Sequence, residues 1–446
     1  MGKYFGTDGF RGEVGRVLTT DHAFAIGRYL GARFGGTRGA RVVIGKDTRR
    51  SSYTLEYALV AGLTASGADA HILHVTTTPC VSFVTRTEGF DCGIMISASH
   101  NPYFDNGIKL FGRGGEKMED DVIAGLEAYL DGGEELPFAT GERIGVAVDY
   151  VAGRNRYIGY LISLATVSYR GMKVGLDLAN GSAWSMAKSV FDALGATTYA
   201  IHNRPDGCNI NRGCGSTHME ALQRLVVEQG LDVGFAFDGD ADRCIAVDPQ
   251  GRVVDGDAIL YVMARSMKAK GALDHDTVVT TVMSNFGLYK ALERYGIACE
   301  QTAVGDKYVY ERMSKKGYCL GGEQSGHIIF SKFANTGDGI ITAICLMEQI
   351  CTAECSLADL IEGYVPYPQV LKNLPVTDKK AVMADKEVLS AVKRAEAELG
   401  TRGRMLVRAS GTEPVVRVMA EAQDEELCTK YADLVTETVK KRGFLL

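Results

Sequence analysis

The chain has 446 residues, of which 46% are hydrophobic, and it carries a formal net charge of -6 at pH 7 with a pI near 5.8. At about 150 residues per domain, this length predicts three or four domains rather than a single core. The mildly acidic balance argues against a general nucleic-acid binder, but it does not exclude an anionic small substrate, because a few local Arg and Lys residues can override the average.

The sequence lacks the usual signals for export and membrane insertion. Its first twelve residues contain no apolar stretch typical of a signal peptide, and no run of about 18 apolar residues occurs anywhere. The 11 cysteines include no C-x-x-C pair, which argues against the common zinc and thioredoxin-type sites. We therefore expect a soluble cytoplasmic protein with no membrane partner and with reduced cysteines.

A glycine-punctuated loop near the start of the chain carries Arg11. From Tyr4 onward the segment reads Tyr-Phe-Gly-Thr-Asp-Gly-Phe-Arg-Gly. The neighbouring glycines would let the guanidinium and nearby backbone amides approach an anion, which predicts a substrate-binding role for Arg11. An ordinary solvated arginine is the alternative.

One pattern recurs three times along the chain: an apolar strand, a polar turn, a helix, a glycine and a second strand. This order is typical of a βαβ unit with parallel strands. Three copies predict three related α/β domains with mixed, mostly parallel sheets. The segments are Arg41 to Gly45, a helix through Leu59, and Ala70 to Val75; Lys173 to Leu178, a helix through Val190, and Thr197 to Ile201; and Thr277 to Met283, a helix through Leu288, and a strand after Gly296.

The stretch Ile94 to Phe111 is the first with candidate chemistry. Two apolar runs flank small and turn-forming residues, which predicts a strand, an exposed loop and a second strand. Ser97, Ser99 and His100 would then lie at the mouth of a sheet, where a hydroxyl can reach a ligand, with Lys109 on the second strand. Spacing does not distinguish the two serines, and an ordinary polar turn has the same composition.

The stretch Leu231 to Arg243 brings three alternating carboxylates, Asp238, Asp240 and Asp242, to the end of an apolar strand. Alternation lets all three turn the same way, and their oxygens repel one another unless a cation lies between them. Oxygen ligands favour Mg²⁺, Mn²⁺ or Ca²⁺ over zinc. Arg243 could hold these carboxylates or stabilise charge on a transferring phosphoryl group. A solvated acidic turn is the alternative.

The stretch Leu320 to Phe330 contains Glu323, Ser325 and His327 at alternate positions. On an extended segment these side chains would share one face. A carboxylate, a hydroxyl and an imidazole side by side suit a sugar better than an apolar ligand. A histidine with a purely structural role, satisfied by its neighbours, is the alternative.

The end of the chain differs in pattern from what precedes it. Three of the nine prolines fall between Tyr364 and Pro375, which predicts a linker. A helix at Lys386 to Leu399, two strands and a last helix after a candidate cap at Asp424 then predict a smaller C-terminal α+β domain. The predicted domains span residues 1–150, 151–250, 251–366 and 367–446.

A turn between the two predicted strands of this last domain offers groups for a phosphate. Arg408 and Arg417 supply two guanidinium forks, and Ser410, Gly411 and Thr412 supply two hydroxyls and free backbone amides. A phosphate dianion is bound by this combination of donors. The loop is not a Walker motif, because G-x-x-x-x-G-K-[ST] is absent.

Taken together and in this order, these loops resemble those of the α-D-phosphohexomutase superfamily, and the resemblance covers essentially the whole chain. Two further stretches resemble its glucosamine branch: Asn209-Ile210-Asn211 with Cys214-Gly215-Ser216-Thr217-His218, and Val304 to Val309. The matching motifs are Gly6-Thr7-Asp8-Gly9, Ser97-Ala98-Ser99-His100-Asn101-Pro102, Asp238-Gly239-Asp240-Ala241-Asp242-Arg243, Gly322-Glu323-Gln324-Ser325-Gly326-His327, and Arg408 with Ser410-Gly411-Thr412-Glu413-Pro414.

The resemblance assigns a role to each loop. It implies that Ser99 is phosphorylated in the active enzyme and that one Mg²⁺ per active site is held by the three aspartates and a phosphate oxygen on Ser99. The other implied roles are sugar binding by Arg11, Glu323, Ser325 and His327; proton and charge handling by His100, Lys109 and Arg243; and binding of the non-reacting phosphate by Arg408, Ser410, Gly411, Thr412 and Arg417.

The implied reaction is the reversible conversion of glucosamine 6-phosphate to glucosamine 1-phosphate, with a hexosamine or hexose 1,6-bisphosphate as intermediate and activator. A central cleft and a homodimer are further implications of the resemblance. Glucose or mannose phosphates are the alternative substrates within the superfamily. Outside it, a metal-dependent phosphatase would release inorganic phosphate stoichiometrically, and a non-catalytic phosphosugar-binding protein would form no phosphoserine.

Overall fold

A computed structural model describes residues 2–35, 39–133, 135–410 and 414–446. The chain divides into two compact units, one comprising Met1–Met283 and Ile297–Glu362 and the other Ser284–Gly296 and Gly363–Leu446. The first unit contains three sheets and the second contains one. Within the described ranges, no helix is both long enough and apolar enough to cross a membrane.

The first sheet has six strands. Its strands and the helices of this part of the chain are β1 (Phe10–Glu13), α1 (Thr20–Gly35), β2 (Arg41–Lys46), α2 (Arg50–Thr64), β3 (Asp69–Val75), α3 (Thr78–Thr87), β4 (Cys92–Ile96), β5 (Asp105–Phe111), α4 (Asp120–Leu130), β6 (Ala147–Asp149) and α5 (Val151–Leu164). The strand order is β1-β5-β4-β2-β3-β6, and β4, β2, β3 and β6 run parallel. Every residue of β4 is buried, as expected for a parallel strand covered on both faces.

Helices α1 and α2 approach each other closely through glycines. A Cβ atom on Gly62 of α2 would lie 2.2 Å from the carbonyl oxygen of Phe24, and one on Gly27 of α1 would lie 2.5 Å from that of Leu59. Only glycine allows these backbones to come so near. The helix pair packs its buried side chains, such as Leu30, into the same core as β2 and β4.

The second sheet has five strands. Its elements are β7 (Lys173–Asp177), α6 (Ala187–Ala193), β8 (Thr197–Ile201), α7 (Glu220–Gln229), β9 (Val233–Phe237), β10 (Cys244–Val247) and β11 (Val253–Val254). The order is β11-β10-β9-β7-β8, in which β9, β7 and β8 are parallel and the pairings of β10 are antiparallel.

The third sheet has four strands in the order β13-β12-β14-β15. The elements of this part of the chain are α8 (Gly256–Ala269), β12 (Thr277–Thr281), α9 (Phe286–Glu293), β13 (Ala298–Thr302), α10 (Asp306–Lys316), β14 (Leu320–Gly322), β15 (Ile328–Phe330), α11 (Gly339–Ala353) and α12 (Leu357–Leu360). Strands β13, β12 and β14 are parallel, and β14 and β15 form an antiparallel hairpin. Helix α9 belongs to the second unit, where the Asn285 side chain before it donates to the Tyr367 carbonyl at 3.0 Å.

The second unit contains a small antiparallel sheet. Its remaining elements are β16 (Gln369–Pro375), α13 (Lys379–Ala384), α14 (Lys386–Leu399), β17 (Gly403–Ala409), β18 (Val415–Ala422) and α15 (Glu425–Lys441). The strand order is β16-β18-β17. Helix α15 begins where the sequence predicts, because the Asp424 side chain accepts the Leu427 backbone N–H at 2.8 Å.

The predicted fold class is confirmed. The predicted order of strand, helix and strand is present three times, as β2-α2-β3, β7-α6-β8 and β12-α9-β13, and each strand pair is parallel. In the third copy, the helix belongs to the second compact unit and the strands to the first. The smaller C-terminal domain with its antiparallel sheet follows them, as predicted. The predicted order of strand, loop and strand at Ile94 to Phe111 is also present, as β4 and β5.

The predicted linker at Tyr364 to Pro375 is wrong in its second half, because Gln369–Pro375 forms β16. Val370 and Leu374 of this strand pack into the core of the second unit, which outweighs the proline signal. The strand lies at the edge of its sheet and Pro375 is its last residue. Proline is tolerated there because an edge strand can lack one backbone donor.

Three candidate loops follow the carboxyl ends of parallel strands. The loop with Ser99 follows β4, the acidic loop follows β9, and the loop with Glu323 follows β14. In open α/β sheets, this edge is where ligands bind.

Candidate active site

The two serines of the loop after β4 have different partners. Both are fully buried. The Ser97 hydroxyl donates to Asp47 Oδ2 at 2.7 Å and accepts the Ser99 backbone N–H at 3.0 Å. Ser99 adopts a left-handed backbone conformation (φ 52°), and its hydroxyl donates to Asp238 Oδ2 at 2.5 Å. Ser97 thus supports the loop, whereas the Ser99 hydroxyl faces the acidic cluster.

A buried arginine fixes this loop. Arg49 is 0% exposed, and its Nε donates to Asp47 Oδ2 at 2.7 Å. One terminal nitrogen donates to the carbonyls of Ser99 and Asn101, each at 2.9 Å. The other donates to the carbonyls of Pro102 and Asp105. A rigid guanidinium fork is suited to holding several carbonyls at once, so Arg49 sets the path of the serine loop.

The predicted acidic cluster forms at the end of β9. Asp238, Asp240 and Asp242 are all buried, and one carboxylate oxygen of each lies within 4.8 Å of the others. The Oδ1 atoms of Asp240 and Asp242 are buried and have no hydrogen-bond partner among the described residues. Buried carboxylate oxygens that lie close together and lack hydrogen-bond donors are suited to a hard divalent cation, which takes oxygen ligands.

Lys109 on β5 lies against the same cluster. Its Nζ is 2.7 Å from Asp240 Oδ2 and 3.3 Å from Asp242 Oδ2. Burial lowers the pKa of the Lys109 ammonium, but the surrounding carboxylates, chiefly that of Asp240, outweigh burial and raise the pKa above its ordinary value. Burial has the opposite effect on a carboxyl group, so it raises the pKa of Asp238, and repulsion from the Asp242 carboxylate raises this pKa further. Lys109 therefore remains a cation that partly offsets the acidic cluster.

His100 and Arg243 flank Ser99. The His100 Nδ1 atom accepts from Arg243 Nη1 at 3.2 Å and lies 3.4 Å from the Ser99 hydroxyl. Burial, followed by the charges of Arg243 and Arg11, lowers the pKa of His100 to about 4. The imidazole is therefore neutral near neutral pH. Arg11 forms an ion pair with Asp8 and also donates to the Ala98 carbonyl at 3.4 Å.

The expectation that Glu323, Ser325 and His327 share one face of an extended segment is wrong. Residues 323–327 form the turn of the β14–β15 hairpin, and Gly326 at φ 90° reverses the chain. Ser325 is exposed and Glu323 half-buried, whereas His327 is buried with its Nδ1 atom 3.8 Å from Asp242 Oδ2. Because the Gly337 backbone N–H donates to His327 Nε2 at 3.0 Å, the ring proton of a neutral imidazole is on Nδ1.

The sequence did not single out several residues that complete the site. Asp8 lies 3.5 Å from Lys109, and the Thr78 hydroxyl donates to Asp240. Lys117 Nζ lies 2.7 Å from Asp306 Oδ1, across 189 residues of sequence. Asp8 and Asp306 lie in stretches that resemble the superfamily, but no role was assigned to them. No local signal marks Thr78 or Lys117, because their partners are distant in sequence.

A cavity of about 390 Å³ opens beside the cluster in the first unit. This volume is within the range of about 300 to 1,000 Å³ common for small-molecule sites. Its wall includes Asp8, Lys109, Lys117, Asp242, Asp306 and Lys307. Each of the three lysines is paired with a carboxylate of the same lining, Lys109 and Lys117 with Asp8 and Lys307 with Asp120. The carboxylates can also accept hydrogen bonds from hydroxyl groups.

The predicted phosphate-binding residues belong to the second unit. Arg408 on β17 and Arg417 on β18 are directly paired across the antiparallel ladder. Burial, followed by the charge of Arg417, lowers the pKa of Arg408. Lys379 Nζ donates to the Ser410 carbonyl at 2.7 Å, which brings a third cation to this turn. Gly411 and Thr412 lie outside the described residues.

Comparison with known proteins supports the family first indicated by the loops. Models of the phosphoglucomutase/phosphomannomutase family match residues 2–136 (alpha/beta/alpha domain I), 155–251 (domain II), 255–367 (domain III) and 371–438 (C-terminal domain). The chain is 62% identical over 448 residues to the phosphoglucosamine mutase of Lachnospira eligens and 60% identical over 446 residues to that of Lachnoclostridium phytofermentans. Each comparison covers 100% of both proteins.

Two solved structures show the same fold. A phosphoglucomutase/phosphomannomutase family protein from Burkholderia thailandensis superimposes with a TM-score of 0.82 at 24% identity, covering 100% of both chains. N-acetylphosphoglucosamine mutase from Aspergillus fumigatus, solved with GlcNAc-6P and magnesium, gives a TM-score of 0.67 at 18% identity and covers 98% of this chain and 96% of its own. From its matched domains and its full-length relatives, this chain belongs to the phosphoglucomutase/phosphomannomutase family of the α-D-phosphohexomutase superfamily.

Proposed function

We propose that this protein is a phosphoglucosamine mutase that interconverts glucosamine 6-phosphate and glucosamine 1-phosphate. Its place in metabolism would be the synthesis of amino-sugar nucleotides, including UDP-N-acetylglucosamine, and of cell-wall precursors. Relatives at 60% and 62% identity over their full length carry this name. The 11 free cysteines support a reducing compartment such as the cytoplasm.

The observation that carries the proposal is the position of the Ser99 hydroxyl. It lies 2.5 Å from Asp238 in a buried cluster of three carboxylates, with Lys109 2.7 Å from Asp240. A simple phosphosugar-binding protein has no need to bury a serine hydroxyl against an acidic cluster. A phosphoserine at this place would bring about -1.5 to -2 charges and three acceptor oxygens to a site that already holds cations.

The three aspartates fit a magnesium ion. Asp238, Asp240 and Asp242 supply oxygen ligands only, and two of their oxygens have no hydrogen-bond partner in the described part of the chain. Together with a phosphate oxygen on Ser99, they would hold one Mg²⁺. Bound there, the ion supplies charge neutralisation during phosphoryl transfer.

We assign the transfer steps to residues of this chain. The bond between Ser99 Oγ and phosphorus breaks as the sugar 1-hydroxyl oxygen bonds to phosphorus. The sugar hydroxyl proton passes to a base, and the departing Ser99 oxygen takes up a proton. Of the three residues proposed to handle protons and charge, His100 is neutral and can accept a proton. Lys109 and Arg243 remain cationic and offset the charge of the transferring group. The 1,6-bisphosphate then turns over, and its 6-phosphoryl group returns to Ser99.

The remaining residues would bind and orient the sugar. Arg408, Ser410, Gly411, Thr412 and Arg417 would hold the phosphate that is not reacting, and that loop must accept either end of the bisphosphate. Arg11, Glu323, Ser325 and His327 are assigned to the sugar side. The exposed Ser325 and the half-buried Glu323 support direct contact with hydroxyl groups, whereas the buried His327 supports a role in holding Asp242.

A comparison of substrates tests the proposal. Turnover of the 6-phosphates of glucosamine, glucose and mannose should be followed by ³¹P NMR with a trace of the matching 1,6-bisphosphate. We expect kcat/KM to be at least about tenfold higher for glucosamine, equivalent to about 1.4 kcal/mol of transition-state free energy. A higher value for glucose or mannose would instead identify a phosphoglucomutase or phosphomannomutase. Stoichiometric release of inorganic phosphate would identify a phosphatase and refute the mutase mechanism.

A further inference from the structure

A second group of metal-ligating side chains lies in the second sheet, apart from the acidic cluster. Asp177 is the last residue of β7, and His202 directly follows β8. The two strands are parallel and Asp177 is paired with Ile201, so His202 emerges beside Asp177 at the carboxyl edge of the sheet. Cys214 reaches the same place from the loop before α7.

Three different ligand types meet at this point. One carboxylate oxygen of Asp177, one ring nitrogen of His202 and the Cys214 sulfur all lie within 4.8 Å of one another. Asp177 and the Cys214 thiol are both fully buried. The Ala179 backbone N–H donates to Asp177 Oδ1 at 3.0 Å and so fixes the carboxylate with its second oxygen, Oδ2, directed at the other two residues.

Asp177 and His202 face each other at the distance of an ion pair. His202 Nδ1 lies 2.9 Å from Asp177 Oδ2, yet the contact lacks hydrogen-bond geometry, and neither buried atom has a hydrogen-bond partner among the described residues. A buried polar atom without a partner costs free energy. A metal ion bound by Asp177 Oδ2, His202 Nδ1 and the buried Cys214 sulfur would give both of these atoms a partner.

We propose that Asp177, His202 and Cys214 form a binding site for a zinc-type divalent cation, with a fourth position open to water. A thiolate, an imidazole and a carboxylate are the ligands of zinc and cobalt rather than of Mg²⁺. The ligands come from three separate segments of the chain, the end of β7, the start of the loop after β8 and the loop before α7, so no short spacing of cysteines in the sequence predicts the site. This chemistry separates the site from the all-oxygen cluster of Asp238.

Binding must displace a proton from the thiol. Burial raises the pKa of Cys214 to about 12, so the metal-free side chain is a neutral thiol. When the cation bonds to sulfur, the S–H bond breaks and its proton passes to solvent, which makes binding stronger as pH rises. The competing arrangement is a simple ion pair, in which the Asp177 carboxylate raises the pKa of the His202 imidazole.

The site would stabilise the loops beneath the active serine. The Asn211 backbone N–H donates to the Ala179 carbonyl at 2.9 Å, and the Asn211 side chain donates to the Ser99 carbonyl at 2.8 Å. Non-glycine residues of these loops have left-handed backbone conformations, with φ of 53° at Ala179, 49° at His202 and 58° at Asn211. Such conformations persist where surrounding contacts hold them. The proposed metal would supply one of those contacts.

Cobalt tests the site without relying on catalysis. The full-length protein, stripped with a chelator and then saturated with Mg²⁺ to fill the acidic cluster, is titrated with Co²⁺. We expect one equivalent to produce the near-ultraviolet charge-transfer band of a cobalt thiolate, and Zn²⁺ to abolish that band. Zn²⁺ at about 100 times its dissociation constant should also raise the thermal midpoint of the wild type.

Substitutions test which side chains bind the metal ion. Cys214→Ser should lose the band and the Zn²⁺-dependent rise in the thermal midpoint, and His202→Asn should weaken both. The matched control is Cys208→Ser, which removes a half-buried thiol of the same loop that lies outside the cluster. Absence of the band in the wild type, or its persistence in Cys214→Ser, would overturn the proposal. If Cys214→Ser does not fold, His202→Asn locates the site, and absence of the band in the wild type still overturns the proposal.

Discussion

At the scale of single residues, the active site separates two serines of the same type and burial. Ser97 donates to Asp47 and accepts the Ser99 backbone N–H, so its hydroxyl serves the loop. Ser99 donates to Asp238 instead. This difference in hydrogen-bond partners gives the two hydroxyls different proposed tasks, one structural and one chemical.

Replacing each serine by alanine should therefore give different results. We expect Ser99→Ala to lower kcat by at least about a thousandfold with little change in stability, because the proposed nucleophile is gone. Ser97→Ala should lower the free energy of unfolding by about 1 to 3 kcal/mol, because it leaves Asp47 and the Ser99 N–H short of a partner. Urea unfolding and steady-state kinetics measure both effects. Normal turnover by Ser99→Ala would contradict the assignment.

The acidic cluster predicts dependence on a divalent cation. Chelation should abolish turnover and Mg²⁺ should restore it, because three buried carboxylates without a cation repel one another. Asp240→Asn should require at least about tenfold more Mg²⁺ for half-maximal activity. The matched control is Asp121→Asn on the exposed first turn of α4, which should respond like the wild type. Equal Mg²⁺ requirements in the three proteins would argue against the cluster as the metal site.

At the scale of elements, the serine loop depends on a residue outside it. Arg49 lies at the start of α2 and donates to four backbone carbonyls between Ser99 and Asp105. A buried guanidinium can reach all four because its donors are fixed in one plane, whereas a lysine ammonium has only three donors at a single point. Arg49 is thus a positioning residue for the Ser99 hydroxyl.

Arg49→Lys should change kcat more than KM. We expect kcat to fall about 10- to 100-fold while KM changes less than about threefold, because a shift of about 1 Å in the nucleophile affects the transition state more than substrate binding. The free energy of unfolding should fall by about 2 to 4 kcal/mol as buried carbonyls lose donors. Arg50→Lys, at the exposed neighbouring position, is the control. A rise in KM with unchanged kcat would instead indicate that Arg49 acts on substrate binding.

At the scale of the whole molecule, the proposed reaction draws on both compact units. Ser99, the acidic cluster and the 390 Å³ cavity belong to the first unit, whereas Arg408 and Arg417 belong to the second. The domain boundaries at residues 150, 250 and 366 and the homodimer stay predictions from the sequence and its resemblance.

Arg408→Gln should separate phosphate binding from folding. Because Arg408 faces Arg417 across the ladder, its removal relieves repulsion between like charges and should leave the thermal midpoint unchanged or slightly higher. The KM for the phosphosugar should rise about 10- to 100-fold, as expected for the loss of a charge-assisted hydrogen bond worth about 1.5 to 3 kcal/mol. Lys440→Gln, exposed near the end of α15, is the control. An unchanged KM would indicate that residues other than Arg408 bind the non-reacting phosphate.

Much of this organisation could be predicted from the sequence because it rests on local patterns. Apolar runs, glycines and caps predicted the three βαβ units, and alternating aspartates predicted the acidic cluster. Long-range pairing was not predictable in the same way. A proline-rich segment forms β16 because its apolar side chains pack into the core of the second unit. Glu323, Ser325 and His327 do not share one face, because the chain turns at Gly326. From the sequence, only the family resemblance favoured Ser99 over Ser97, because the hydrogen-bond partners that differ between them, Asp47 and Asp238, are distant in sequence.

The central claim is that Ser99 carries the phosphoryl group between the two ends of the sugar. The most direct measurement is peptide mapping by mass spectrometry after incubation with glucosamine 1,6-bisphosphate carrying ¹⁸O in its phosphoryl groups, followed by a chase with unlabelled glucosamine 6-phosphate. We predict one labelled phosphoryl group on the peptide containing Ser99. During the chase, an unlabelled phosphoryl group should replace it at least as fast as the enzyme turns over. Turnover with no phosphoryl group on Ser99, or with one stably attached to another residue, would contradict the account.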